Sequence, residues 1–428
     1  MEADAAQAMP GGVPRAEPSG ADAVADWARS GVVALTGHPG GPPLVPPGRG
    51  ASVAGRLAAE FAALTGVRIN GPRLLSERAA FTGHRRRGPV SAGGACRLLP
   101  TADGWAAVSC ARPDDPALLG ALIGEDVGDN PWPGVARWLG DHTGAELAER
   151  AALLGVAAAP VKRSGAAPEA PIVTAVPASV AGLLVADFSV LWAGPLCAHL
   201  LGLAGARVVK VETPWRPDGA RRGNAAFYDL LHAGHRSVAF DSRTSAGREA
   251  MAALVAAADI VIESSRPRAL ARFGLDADAA VANGTTWVSI TAYGRAVDRV
   301  GFGDDVAAGS GLVAMDGDSQ PLFVGDAIAD PLTGLTAAVL AARARTARTG
   351  VLLDIAMSGV VAATMDAGDY HASSPAARRG KNGWVVDTAV GPVRVASPRR
   401  RRVPGKAADP GAHTAGVLRE LGIRPPVR

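Results

Sequence analysis

Residues Val185–Glu212 read VADFSVLWAGPLCAHLLGLAGARVVKVE. The apolar run that carries this stretch, Gly182–Phe188, predicts a strand. Pro195–Leu203 predicts a helix, and Arg207–Glu212 predicts a second strand. Short, wholly apolar strands separated by helical segments indicate a parallel sheet covered on both faces. The alternation continues downstream. Strands are expected at Ser237–Phe240, Asp259–Glu263 and Thr286–Thr291, with helices at Ser245–Ala257 and Pro267–Phe273. After Asp330 a helical run extends to about Ala347. The fold class is therefore α/β, a Rossmann-like domain built on a parallel sheet. Phe188–Ala206 is long and nearly uncharged, but Gly194-Pro195 and His199 interrupt it. A membrane span needs about 20 apolar residues without such a break. A strand followed by a buried helix explains the stretch, so no membrane partner is expected.

Upstream, Ser52–Leu64 has helical periodicity. Trp105–Cys110 is strand-like, while Pro116–Ile123 and Gly144–Leu154 are helix-like. These mixed elements predict a smaller α+β domain. Gly37–Gly50 is a Gly/Pro loop, and Lys162–Pro171 is a linker. Residues 1–24 are Ala, Gly, Pro and Asp, the composition of a disordered leader. Residues beyond Ser373 are polar and loop-rich, with an arginine run at Arg399–Arg402 that is expected to be a solvated basic tail.

The chain has 428 residues, enough for two or three domains. Its 48% hydrophobic and 20% charged residues suit a soluble globular protein. The 44 basic and 40 acidic residues leave a charge of +4, and aromatics make up 4%. That is no footprint for nucleic acid. Cys96, Cys110 and Cys197 are too few and too scattered for a disulfide framework or a zinc site, so a cytoplasmic setting is expected. The acidic start Met1-Glu2-Ala3-Asp4 predicts no signal peptide.

Asp330-Pro331 precedes a strong helix. Asp is a favoured N-cap and Pro suits the first helical position. A carboxylate placed there is expected to stay ionised through the helix dipole, and an ionised carboxylate can be a nucleophile. Asp26–Gly66 echoes Asp305–Gly350 in the order of its Asp, Ser-Gly, Pro-Leu and helix. Ala51-Ser52 stands in the first copy where Ala329-Asp330 stands in the second. Ser52 can cap a helix but supplies no carboxylate.

Several segments, taken in order, resemble a known family. They are Val185–Glu212, Ser237–Asp241 (SVAFD) with Gly247-Arg248-Glu249, Asp259–Pro267 (DIVIESSRP) and Val288–Gly294 (VSITAYG). Ser310-Gly311, Asp330–Gly334 (DPLTG) and Arg348–Gly350 (RTG) follow. The ordered set is similar to the catalytic domain of the family III CoA-transferases, the CaiB/BaiF family, over about Val180–Ala367. The resemblance implies that Asp330 attacks an acyl-CoA thioester, forms a mixed aspartyl anhydride and releases CoA. A carboxylic acid is then the acceptor. It implies CoA and acyl-CoA as substrates, no tightly bound cofactor, and a homodimer.

The domain order implied is rearranged. A degenerate, partial catalytic-domain-like segment (25–66) follows the leader. The small domain (67–165) precedes the catalytic domain (176–372), and 373–428 is a C-terminal segment. The family's glycine-rich lid has a counterpart only in Ala92-Gly93-Gly94. The Asp330–Gly334 turn is expected to offer backbone N–H groups and a small glycine for close approach.

CoA-binding candidates are Arg266, Arg268 and Arg272 after a strand, with Lys210 and Arg236 beside them. By the resemblance, Arg272 matches a phosphate contact, and Leu191 and Trp192 match the thioester end. The rival readings are a non-catalytic acyl-CoA-binding scaffold, an acyl-CoA racemase and an unrelated dinucleotide oxidoreductase. Racemase relatives carry a His in a Gly-His-Asp element. Here Gly301-Phe302-Gly303-Asp304-Asp305 has none, so Asp304 and Asp305 are read as loop or cap residues. His232 and His235 lack carboxylates at ligand spacing, so no metal is expected.

Overall fold

Runs rich in Val and Ile build the centre of the molecule. The computed structural model describes residues 9–10, 22–162, 179–265, 267–344, 349–366 and 373–423. Six parallel strands form its main sheet: β1 (Leu184–Asp187), β2 (Arg207–Glu212), β3 (Arg236–Ala239), β4 (Ile260–Glu263), β5 (Thr286–Thr291) and β6 (Val351–Ala356). Their spatial order is β3-β2-β1-β4-β5-β6, and Met9–Pro10 pairs parallel to the free edge of β6. In register, Val185 of β1 faces Val208 of β2 and Ile260 of β4. This is the doubly wound Rossmann order, which reverses between β1 and β4. Every residue of β1 and β4 is buried, as strands covered on both faces must be.

The helix Ala329–Ala344 is buried on nearly every side. A helix apolar all round needs partners all round. It packs against Ala193–Leu203 on one flank and Gly50–Thr65 on another. Gly334 makes the first contact possible, because a Cβ there would collide with the Ala193 carbonyl and the Leu196 side chain. Gly50–Thr65 brings Val53, Leu57 and Phe61 into the same apolar core as Leu196, Leu335 and Ile355. Trp27, from the helix Ala23–Ser30, is also fully buried there, and its Nε1 donates to the Gly48 carbonyl at 2.9 Å.

A second core lies in the smaller unit. Its antiparallel strands Cys96–Thr101, Gly104–Ser109 and Ala158–Pro160 are covered by helices Asp115–Ile123, Trp132–Asp141 and Gly144–Leu154. Leu119, Leu122, Leu139 and Leu147 fill the space between. The last of these helices starts with a reciprocal cap between Thr143 and Glu146.

Several expectations need correction. The helical run after Asp330 is described to Ala344 and is followed by β6, a strand the periodicity did not reveal. The region beyond Ser373 holds the antiparallel strands Arg378–Gly380, Gly383–Thr388 and Gly391–Arg394, which pack on the helix Ala23–Ser30. The arginine run is no free tail. Arg401 holds the buried Glu77 at 2.7 and 2.8 Å and reaches His199 at 3.2 Å. The linker, past Lys162, and most of the leader lie outside the described residues. Among the described residues, no helix is long and apolar enough to cross a membrane.

Because residues 22–66 share the core of the parallel sheet, Phe61→Ala should destabilise the whole unit by about 3–5 kcal/mol. Denaturant melts followed by Trp fluorescence and by far-UV circular dichroism should shift together. A sheet that melts unchanged while only the first segment loosens would contradict this shared core.

Candidate active site

The order reversal between β1 and β4 leaves a crevice at the carboxyl ends of the strands, where open α/β sheets bind ligands. A solvent-connected cleft with about 780 Å³ of empty volume lies there, lined by Leu191, Ser264, Thr291, Arg299, Phe302 and Asp330 among others. The loop leaving β1 forms one wall and is firmly held. Lys210 of β2 donates to the Ser189 carbonyl and pairs with Asp187 at 3.6 Å and Asp218 at 3.1 Å. Val190 N donates to Ser264 Oγ at 2.9 Å, and Leu191 N donates to Asp218 Oδ1 at 3.1 Å. Under these restraints Leu191 adopts φ 70°, a left-handed value that is rare for a branched residue and marks a backbone constrained by its surroundings.

Asp330 enters the cleft from the first turn of the helix Ala329–Ala344. It lies inside the helix, not ahead of it as a cap. Asp330–Gly334 is therefore no turn, and Gly334 faces the neighbouring helix, not the cleft. The Asp330 carboxyl lies against Gly303, where any Cβ would collide with its Oδ2 and with the Ala327 carbonyl. Burial pushes this carboxyl up to about 7, opposed by the Arg78 guanidinium and assisted by Asp304. The expectation of a carboxylate kept ionised by its helix is thus overturned by desolvation.

Four carboxyls crowd this end of the fold. Asp326 is fully buried and accepts from Arg78 Nε at 2.9 Å and Nη2 at 2.5 Å. His84 Nδ1 lies 3.2 Å from the same carboxylate. Burial alone would raise Asp326, but the Arg78 charge holds it well below the usual carboxylate range. Asp304 accepts from Ala327 N at 2.8 Å, and burial with the nearby Asp326 charge raises it to about 6. Asp305 accepts from Ser109 Oγ at 2.8 Å and Phe302 N at 2.9 Å. Burial raises it to about 7 against these bonds. Asp304 and Asp305 thus serve as loop and cap acceptors, yet Asp304 also sets the charge that Asp330 feels.

The residues singled out in the sequence scatter around this site. Leu191 lines the cleft. Trp192 is buried under it, edge-on to Phe227 at 5.4 Å, with the Arg78 guanidinium 4.9 Å from its ring. Lys210 is fully buried in its ion pairs, with no ammonium face toward solvent. Arg236 begins β3 at the opposite edge of the sheet and pairs with Glu420 at 2.6 Å. Arg272 is exposed just past the short helix Pro267–Ala271 and is absent from the cleft lining. Arg266 and the Arg268 side chain lie outside the described residues.

Gly93 of the Ala92-Gly93-Gly94 loop faces His84, and the adjoining Ser91 hydroxyl bonds to Asp304. His232 and His235 are buried with their rings 5.7 Å apart, and His199 lies 6.5 Å from His235. Desolvation lowers all three.

Arg78, His84, Asp326 and Arg299 were not foreseen. Arg78 precedes Asp326 by 248 residues, so no local spacing could join them. Removing it would leave the fully buried Asp326 with only the His84 ring beside it. Arg78→Met is expected to cost about 3–5 kcal/mol in chemical denaturation. Asp326→Asn in that background should recover part of the loss. Additive losses would show that the pair is not coupled.

Residues 180–390 match the family described as CoA-transferase family III. Succinate–glutarate CoA-transferase of Agrobacterium fabrum is 33% identical over 194 residues, covering 40% of this chain and 48% of that one. Succinyl-CoA–D-citramalate CoA-transferase of Chloroflexus aurantiacus is 31% identical over 169 residues, 36% of this chain and 42% of the other. The chain thus spans about half or less of the curated relatives it matches. A CaiB/BaiF family crystal structure from Brucella suis covers 50% of this chain and 66% of its own, at 26% identity and a TM-score of 0.42. Residues 180–390 are thus similar to CoA-transferase family III over just under half of the chain.

Proposed function

We propose that the protein moves CoA between an acyl-CoA thioester and a carboxylic acid, with Asp330 as nucleophile. One observation carries this reading. Asp330 is the acidic residue of the cleft lining, and that cleft opens at the switch point of the sheet. In the first step an Asp330 carboxylate oxygen attacks the thioester carbonyl. The C–O bond forms, the C–S bond breaks, and CoA leaves as thiolate, giving a mixed anhydride. The thiolate then attacks the aspartyl carbonyl of that anhydride and expels the first acid as its carboxylate. The acceptor carboxylate repeats both exchanges in reverse and leaves as the new thioester, which regenerates Asp330. The Ser265 hydroxyl lines the same cleft, buried and without a partner, and is a donor for oxyanion charge on the carbonyl.

The same reading takes 176–372 as the catalytic domain, with 25–66 as a partial copy of it that supports the core. The small domain is 67–165 and the closing segment 373–428. It includes a homodimer and a cytoplasmic setting. The free thiols of Cys96, Cys110 and Cys197 support the second.

Asp330→Ala should abolish exchange of labelled CoA into an acyl-CoA while the circular dichroism spectrum is kept. Unchanged exchange would remove the nucleophile. Hydroxylamine trapping with mass spectrometry after incubation with acyl-CoA should place the activated carboxyl on Asp330.

Only the ionised carboxylate attacks. With its carboxyl raised to about 7, exchange should rise with pH through that value and fall about tenfold per pH unit below 6. A flat profile between pH 5 and 8 would refute the assignment. Stability runs the opposite way. A carboxyl raised on folding stabilises fully below its unfolded value and loses that contribution as pH rises through about 7. Asp330→Asn should therefore gain thermal stability over the parent as pH rises from about 4 to 7, and hold that gain above it.

A further inference from the structure

Asp330 and Arg299 are the two charged residues of the cleft lining. Val190, Ile290, Val297 and Met357 supply apolar wall, and Ser264 and Thr291 supply hydroxyls. Arg299 is half-buried. Its guanidinium carbon stacks 4.2 Å from the Tyr293 ring centre, and Nη2 donates to the Ala158 carbonyl at 3.2 Å. Both partners are uncharged. The stack and the single bond fix the plane of the guanidinium while Nε and Nη1 keep their donors. A planar fork of this kind matches a carboxylate in two-point contact. A cation in a largely apolar cleft whose own stacking and hydrogen-bond partners are uncharged favours an anionic ligand.

We propose that Arg299 anchors the far carboxylate of a dicarboxylic acid, so that the cleft selects acyl groups that carry a second, free carboxylate. The inference rests on the transferase reading, because it places the reacting carbonyl at Asp330. A phosphate of CoA offers the same anionic chemistry. It lies a whole pantetheine arm from the reacting carbonyl, however, whereas the far carboxylate of a short diacid lies only a few carbons away.

The unaltered protein supplies the first test. CoA exchange with succinyl-CoA and succinate should exceed exchange with butyryl-CoA and butyrate by about tenfold or more in kcat/KM. Arg299→Met should abolish that preference by raising KM for succinate far more than KM for butyrate. Arg299→Lys should restore part of it. Calorimetry with free succinate and free butyrate needs no turnover, and only succinate should bind. Equal use of both acids by the unaltered protein would overturn the proposal. So would a variant that weakens both equally, or one that weakens the binding of free CoA, which would make Arg299 a phosphate contact. Absence of exchange with every acyl-CoA, alongside selective succinate binding, would reject the transferase reading and keep the anchor.

Discussion

A carboxyl buried at the head of the central helix needs a cation, and that cation comes from the far end of the chain. Arg78 holds Asp326 in two-point contact and lies over Trp192, and its charge reaches Asp330. Residues 22–90 therefore do more than cover the sheet. They bring Arg78 and His84 to the acidic cluster, while Phe61 and Trp27 close the core behind it. Without that segment, Asp326 would be an uncompensated charge in the interior, which proteins rarely tolerate.

The echo between Asp26–Gly66 and Asp305–Gly350 gains a physical meaning from this packing. The helices Gly50–Thr65 and Ala329–Ala344 are both sixteen residues long and lie against each other. At the matching positions, Ser52 Oγ donates to Asp26 Oδ2 at 2.7 Å in the first copy. In the second copy, Asp330 and Asp305 are both carboxyls, and Oδ2 of Asp305 has no partner. A hydroxyl and a carboxylate satisfy each other and stop there. In that copy burial and the Asp304 charge raise both Asp305 and Asp330.

Much of the fold was legible in the sequence because short runs built around Val and Ile alternate with helical segments. Arg207–Glu212 and Thr286–Thr291 appear at their expected bounds for this reason, as does the helix Ser245–Ala257. β6 escaped because Val351–Ala356 is a short apolar run without periodicity, just after a long helical stretch. At the site, Asp330 and Leu191 could be found because their neighbours in sequence carry the pattern. Lys210 was misleading for an electrostatic reason. A cation on a strand suggests phosphate, yet here it neutralises Asp187 and Asp218 inside the fold. Arg78 pairs with Asp326 and Arg299 donates to the Ala158 carbonyl, both far away in sequence, and no local pattern encodes that.

The balance at Asp330 shows why a helix start alone could not decide its charge. A helix dipole stabilises a nearby carboxylate by roughly 0.3–1 kcal/mol. Raising the carboxyl from 3.8 to about 7 corresponds to a penalty of about 4 kcal/mol on the ionised form. Desolvation and the neighbouring Asp304 therefore outweigh the dipole even with Arg78 opposing them. A fully solvated carboxylate would always be ionised but a weak nucleophile toward a thioester, held back by its water. A carboxyl poised near neutrality gives up part of its ionised population, and the part that remains is poorly hydrated and correspondingly basic. On the proposed transferase reading, the crowded acids around Asp330 are the source of its reactivity, and the Arg78 charge opposes them.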